Sequence, residues 1–163
     1  MPQTVRALSY LPPGVTRSGD EPRLALAHDE RRVRRRLLTL SDGTGVLIDF
    51  PTPITLEHGS ALPLDDGRTL GIDARPEALY AVTGRDLRHL MQLSWHLGNR
   101  HLKTEIESRD GLPTRLKILR DHVIRDMLLG LGATVAEVTE PFSPEEGAYA
   151  HGHAEAPHAL LNR

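Results

Sequence analysis

The 163-residue chain contains no cysteine. That excludes disulfides, thiolate metal sites and cysteine nucleophiles, and leaves histidine, aspartate and glutamate as the only strong metal ligands. Aromatic residues are scarce, at 4% against a hydrophobic share of 39%, so any core is aliphatic and not large. No apolar run approaches the roughly 20 residues that a membrane-spanning helix needs. The N-terminus has no charged head followed by an apolar stretch, so no signal peptide is read and a soluble, cytoplasmic protein is expected. Neither sign of charge dominates. A net charge of −2 and a pI near 6.5 argue against a general binder of nucleic acid or membrane surfaces.

Two rhythms divide what remains. In the first, short strand patterns recur between Pro and Gly punctuation: Val5 to Leu11, Leu24 to His28, and Val46 to Phe50, the last stopped by Pro51 and Pro53. Leu56–Leu64 and Arg68–Ile72 flank Asp65-Asp66-Gly67, a hairpin signal. Residues 1–74 therefore read as an all-β domain suited to binding a partner or peptide. Five arginines fall between Arg31 and Arg36. As a basic nucleic-acid- or peptide-binding module this run is the alternative function. As a strand with solvated arginines, some paired to Asp29 and Glu30, it is structural, and without aromatic platforms nucleic acid is the weaker reading.

From about residue 75 the strands are separated by helices. Leu79–Thr83 is a near-continuous apolar strand, and a helix is expected from about Arg85 to Leu97, with Leu87, Leu90, Met91, Ser94 and Leu97 on one stripe. Thr83 with Asp86 has the form of a capping box, and Gly98 stands where a left-handed helix-ending glycine is expected. A strand with period-two alternation follows from His101, placing it with Lys103, Glu105 and Glu107 on the charged side. Gly111-Leu112-Pro113 turns the chain into Arg115–Leu119. Asp121 caps a second helix with core residues Ile124, Met127, Leu128 and Leu131, and Ala133–Val138 is the last strand. The order βαββαβ makes residues 75–142 a ferredoxin-like domain, so the fold class is α+β. Residues 143–163 read as a flexible tail that carries histidines.

His96-Leu97-Gly98-Asn99-Arg100-His101 at the helix exit resembles the signature of the UreE family of urease accessory metallochaperones. Asp121-His122-Val123, Asp126-Met127-Leu128, Glu140-Pro141-Phe142, Pro144-Glu145 and Gly147-Ala148-Tyr149 repeat that family's C-terminal wording. The resemblance runs from about Asp42 to His153. It implies a homodimer that binds Ni(II) through the histidine matching His101, assisted by tail histidines, and hands it to a GTPase of the urease assembly and the urease apoprotein complex. Relatives often carry a longer histidine-rich tail than the three tail histidines here. Some place a second histidine two residues before the one matching His122, where this chain has Arg120, a cation that cannot ligate.

Residue by residue, the candidate ligands are His101, His96 in an auxiliary role, and the tail pair His151 and His153. His89 and His122 are expected to be exposed, His28 and His58 structural or exposed, and His158 solvated. One exposed imidazole cannot hold a transition metal firmly, since stable sites need about four ligands. A two-fold dimer supplies His101 twice, and tail donors can complete the set. Nitrogen ligands without thiolate suit Ni(II), and equally Zn(II) or Cu(II). A metal-dependent hydrolase is disfavoured: there is no His-Glu-x-x-His, no Asp/Glu cluster near the histidines and no phosphate-binding glycine loop.

Overall fold

The computed structural model describes residues 4–15 and 21–148. Its elements run β1 (Thr4–Arg6), β2 (Arg23–Leu26), β3 (Arg32–Thr39), β4 (Gly45–Thr55), β5 (Ala61–Pro63), β6 (Thr69–Ala74), β7 (Pro76–Thr83), α1 (Leu87–Gly98), β8 (Thr104–Arg109), β9 (Leu112–Leu119), α2 (His122–Gly130) and β10 (Thr134–Pro141). The α+β class and the division into an all-β first half and a βαββαβ second half stand as the sequence patterning implied.

Two three-stranded sheets, ordered β1-β4-β3 and β2-β6-β5, make the first half. Val5, Val33, Val46 and Ile48 from one sheet and Leu26, Leu62, Leu70 and Ile72 from the other join in a single aliphatic core. Val33 and Leu38 turn inward while Arg32, Arg34 and Arg35 face solvent, because the period-two alternation of β3 changes phase at the bulge between Val33 and Arg35. The strand expected to stop at Pro51 and Pro53 runs through both. Its register with β3 jumps from Val33↔Ile54 to Arg35↔Asp49, so both prolines fall where the ladder is interrupted and no N–H is required.

One residue, Arg75, separates β6 from β7. The second half is an antiparallel sheet ordered β10-β7-β9-β8, the ferredoxin-like arrangement, with α1 against β8 and β9 and α2 against β10. Tyr80, Val82, Leu116 and Ile118 from the sheet meet Leu90, Leu93, Leu97 and Leu128 from the helices in a second core. The chain turns between β8 and β9 at Asp110-Gly111, not at Gly111-Leu112-Pro113. Both turn residues have positive φ, 53° and 78°, as a two-residue hairpin loop requires.

The halves meet at Phe142, which is fully buried with its ring edge-on to His28 at 5.0 Å. Arg31, only 3% exposed, reaches into the same junction and donates to the carbonyl of Phe142 and, at 3.4 Å, to that of Leu56. The cost of removing a guanidinium from water holds the Arg31 pKa below its usual value, against the pull of Glu77, Glu105 and Glu57. Among the described residues no helix is long and apolar enough to cross a membrane.

Candidate metal centre

The turn that carries His101 is built by the end of α1. Asp86, rather than Thr83, caps its start, its carboxylate accepting the His89 N–H at 2.7 Å. At the other end the His101 N–H donates to the Gly98 carbonyl at 2.9 Å, and the Leu102 N–H to the Leu97 carbonyl at 3.3 Å. This bond pair defines a Schellman motif, and its left-handed position is occupied by His101, with φ 55°. The expected left-handed residue, Gly98, is instead the last residue of the helix. Leu102 then packs against the core that includes Leu97, the apolar contact that accompanies this motif. The strand starts three residues later, at Thr104, so His101 is exposed as a turn residue and not as part of the alternation.

α2 ends in the same motif. Ala133 donates to the Leu128 carbonyl at 3.0 Å and Gly132 to that of Leu129 at 2.9 Å, with Gly132 at φ 80°. The two helix ends therefore make the same turn, one with the glycine that the conformation favours and one with a histidine. A non-glycine residue there costs roughly 1–2 kcal/mol. Histidine is among the types that visit the region more often, and an outlier of this kind points towards function.

The surroundings of His101 suit a cation. The C-terminal end of α1 carries partial negative charge. The Lys103 ammonium is drawn away, 3.3 Å from His28 Nε2, while the Arg100 guanidinium stays at the same helix end and donates to the His96 carbonyl at 3.1 Å. His28 in turn meets Glu77 through Nδ1 at 2.8 Å, which makes it a structural residue.

The other candidates separate. His96 is half-buried in the last turn of α1, its ring edge-on to Trp95 at 5.1 Å, in a groove with Arg85, Arg88 and Met91. His151 and His153, like His158, lie outside the described residues. Among the described residues no three His, Asp or Glu side chains are grouped to hold a metal ion. His122 is exposed, as expected, and so is His58, whose Nδ1 accepts the Ala74 N–H at 3.2 Å.

His89 corrects the sequence reading. It is 4% exposed, not a surface residue, with Nδ1 accepting the Arg85 N–H at 3.1 Å and Nε2 against the Leu131 carbonyl at 2.9 Å. Both ring nitrogens are occupied, so it is no ligand. The arginine run is also dispersed: Arg31 is buried, Arg36 pairs with Glu30 at 3.5 Å, and Arg32 lies 3.5 Å from Glu146. Arg34 and Arg35 face solvent.

The apolar stripe of α1 is wider than the face it buries. Leu90, Leu93 and Leu97 are buried, but Met91 and Trp95 are each 64% exposed. With Leu90, Ser94, Ile106, Pro113 and Leu116 they line a recess of about 350 Å³. Ser94 and Ile106 also line the adjoining recess with Gly98 and Leu102, so the patch runs up to the His101 turn.

Residues 4–75 match the UreE urease accessory protein N-terminal domain and residues 77–161 the C-terminal domain of the same family. The urease accessory protein UreE of Mesorhizobium japonicum is 52% identical over 151 residues, 91% of this chain and 74% of that protein. UreE of Rhizobium rhizogenes is 49% identical over 148 residues, 90% and 86% of the two chains, and UreE 1 of Brucella suis 53% over 130 residues, 80% and 77%. Two matched domains and half-identical relatives along most of the chain place it in the UreE family of urease accessory proteins, as a maturation factor and not an enzyme.

Proposed function

We propose that this protein is a cytoplasmic homodimeric metallochaperone that binds Ni(II) as cargo and delivers it during urease maturation. The observation that carries the reading is His101 in a left-handed turn that the companion helix closes with glycine. The conformation fixes an exposed imidazole at the negative end of α1, a place where a cation is favoured. A two-fold axis through the neighbouring apolar patch of Met91, Trp95 and Ile106 would set two copies of His101 face to face, the repeated use of one surface that such symmetry imposes. Large aromatic and thioether side chains of this exposure are typical anchors of an interface.

His151 and His153 follow the described residues closely and supply the remaining nitrogen donors, with His96 in an auxiliary position. Such a set, divided between an interface and the tail, accepts and gives up metal more readily than an enclosed site. Imidazole alone does not choose Ni(II) over Zn(II) or Cu(II), and the nickel assignment rests on the family's tie to urease, a nickel enzyme's assembly. The same tie names the recipients: a GTPase of the assembly machinery and the urease apoprotein complex. The first domain, residues 1–74, is proposed as a partner- or peptide-binding unit beside the metal-binding and dimerising unit, residues 75–142.

Nickel titration calorimetry with solution mass in parallel tests the reading. Expected is one tight ion per dimer, lost in His101→Ala, with Trp95→Ala shifting the mass towards monomer. A monomer that ignores nickel, or a His101→Ala protein that binds as well as its parent, refutes it.

A further inference from the structure

Buried His89 joins the two walls of a recess that the metal site leaves unused. Its Nδ1 accepts the Arg85 N–H just before α1, and its Nε2 meets the Leu131 carbonyl at the end of α2. The recess between these walls has a volume of about 570 Å³, within the range of ligand pockets. Its inner side is apolar, with Leu93 fully buried, and its rim is basic, with Arg85, Arg88 and Gln92 exposed. On α1, Arg88, Gln92 and His96 recur four residues apart, beside a second row made by Met91 and Trp95. Among the described residues no aspartate or glutamate lines the recess. The nearest carboxylate along the chain, Asp86, is taken up by the His89 N–H at the helix cap. Neither Arg85 nor Arg88 meets a carboxylate among the described residues. Arg85 is also held in place: its Nη1 lies over Gly132, where an added Cβ would be only 2.8 Å away.

We propose that this recess is a docking groove for an acidic, amphipathic segment of a partner protein. Carboxylates of the segment pair with Arg85 and Arg88, whose planar guanidinium groups match them in shape and charge. Its apolar side chains cover Met91 and Trp95, the kind of exposed anchors that interfaces favour. From Arg88 to His96 the groove follows α1 for about 12 Å, room for about eight helical or four extended residues. A nucleotide is the poorer occupant, since no glycine-rich loop among the described residues lines the recess to hold phosphate with main-chain N–H groups. The groove stands apart from nickel binding. Ser94, Ile106, Pro113 and Leu116 belong to the patch proposed for dimerisation, whereas Arg85, Arg88 and Gln92 lie outside it. Only Met91 and Trp95 border both, so a docked segment would sit along the rim of the dimer face.

The probe is a short synthetic peptide with glutamates at one end and leucines at helical spacing, titrated calorimetrically into the full chain. Its counterpart carries glutamine in place of every glutamate. Expected is binding of the glutamate peptide that weakens as salt rises. It should fall about five- to thirtyfold in Arg85→Gln combined with Arg88→Gln, the range for two exposed guanidinium–carboxylate pairs. Gln92→Glu, which sets a carboxylate four residues from Arg88, should weaken it as well. Arg34→Gln combined with Arg35→Gln removes another solvent-facing pair, on β3, and should leave the affinity near the parent's. A glutamate peptide that does not bind, a glutamine counterpart that binds equally, an undiminished Arg85 and Arg88 variant, or an equal loss in the Arg34 and Arg35 variant overturns the proposal. ATP that binds more tightly than the peptide, and is lost in the Arg85 and Arg88 variant, reassigns the recess to a nucleotide and overturns it too.

Discussion

Replacing His101 by glycine separates the ligand from the fold it sits in. The residue has φ 55° in the left-handed position of a Schellman turn. A side chain there costs about 1–2 kcal/mol relative to glycine. Glycine relieves that strain but loosens the unfolded chain, which returns about 0.4–1 kcal/mol. The net expectation is that His101→Gly stabilises the metal-free protein by about 0.5–1 kcal/mol. For a chain of this size that is a rise of about 1–4 °C in Tm. His101→Ala keeps the strain and should leave Tm near the parent's or slightly below. Both variants lose the imidazole and, on the proposed function, nickel. The assay is thermal unfolding by circular dichroism in chelator, at one fixed protein concentration because association alters Tm, followed by nickel titration. A His101→Gly protein destabilised by more than about 1 kcal/mol would refute the argument that this turn sacrifices stability to place a histidine.

The remaining predictions use the surrounding structure. His89→Ala should cost about 2–4 kcal/mol, through a cavity and an unpaired Leu131 carbonyl, yet leave nickel stoichiometry intact; unfolding by denaturant and calorimetry check the two halves of that statement. Gly132→Ala should cost about 1–2 kcal/mol, since the position has φ 80° and an added Cβ would lie 2.8 Å from the Arg85 guanidinium. The bond from Arg115 holds the Glu107 carboxyl below its usual pKa. A depressed folded value gives stability that is present above the ordinary carboxylate range and lost as the pH falls through the folded value, so Glu107→Gln should lower stability at neutral pH, flatten the acid limb and leave the most acid range least affected. Arg31→Met leaves the carbonyls of Phe142 and Leu56 without their donor and should destabilise by about 1–3 kcal/mol in chemical unfolding, more than Arg31→Lys, which keeps the charge.

The fold was legible where periodicity and turn chemistry acted locally. The Asp121 cap and the apolar face of α2 are each settled by neighbours a few residues away. Errors arose where a distant partner decided. His89 has nothing in its own sequence neighbourhood to bury it; the Leu131 carbonyl that receives its ring is 42 residues on. Pro51 and Pro53 read as terminators because the interrupted register with β3 is visible only once the strands are paired. The Asp110-Gly111 turn was the exception, since its Asp-Gly signal is local and stands directly before the competing turn signal of Pro113. At the site, the wording around His101 was legible, but its backbone strain was not. The alternation expected from His101 concealed a turn whose hydrogen bonds run back to Leu97 and Gly98.

That strain bears on how a single chain can handle a metal. Among its described residues the protein groups no three metal-binding side chains, although an α+β body of this size has ample surface for such a cluster. A preorganised cluster would hold an ion through most encounters, and delivery requires the reverse. The proposed arrangement divides the task. His101 is fixed by a turn whose cost is met in folding, so that donor is positioned before any ion arrives. The other donors are a second copy of the same residue and the tail histidines, and each must be brought in. The free energy needed to assemble the set is then a term that partner binding can change, and a competing surface at Met91 and Trp95 would weaken the same site.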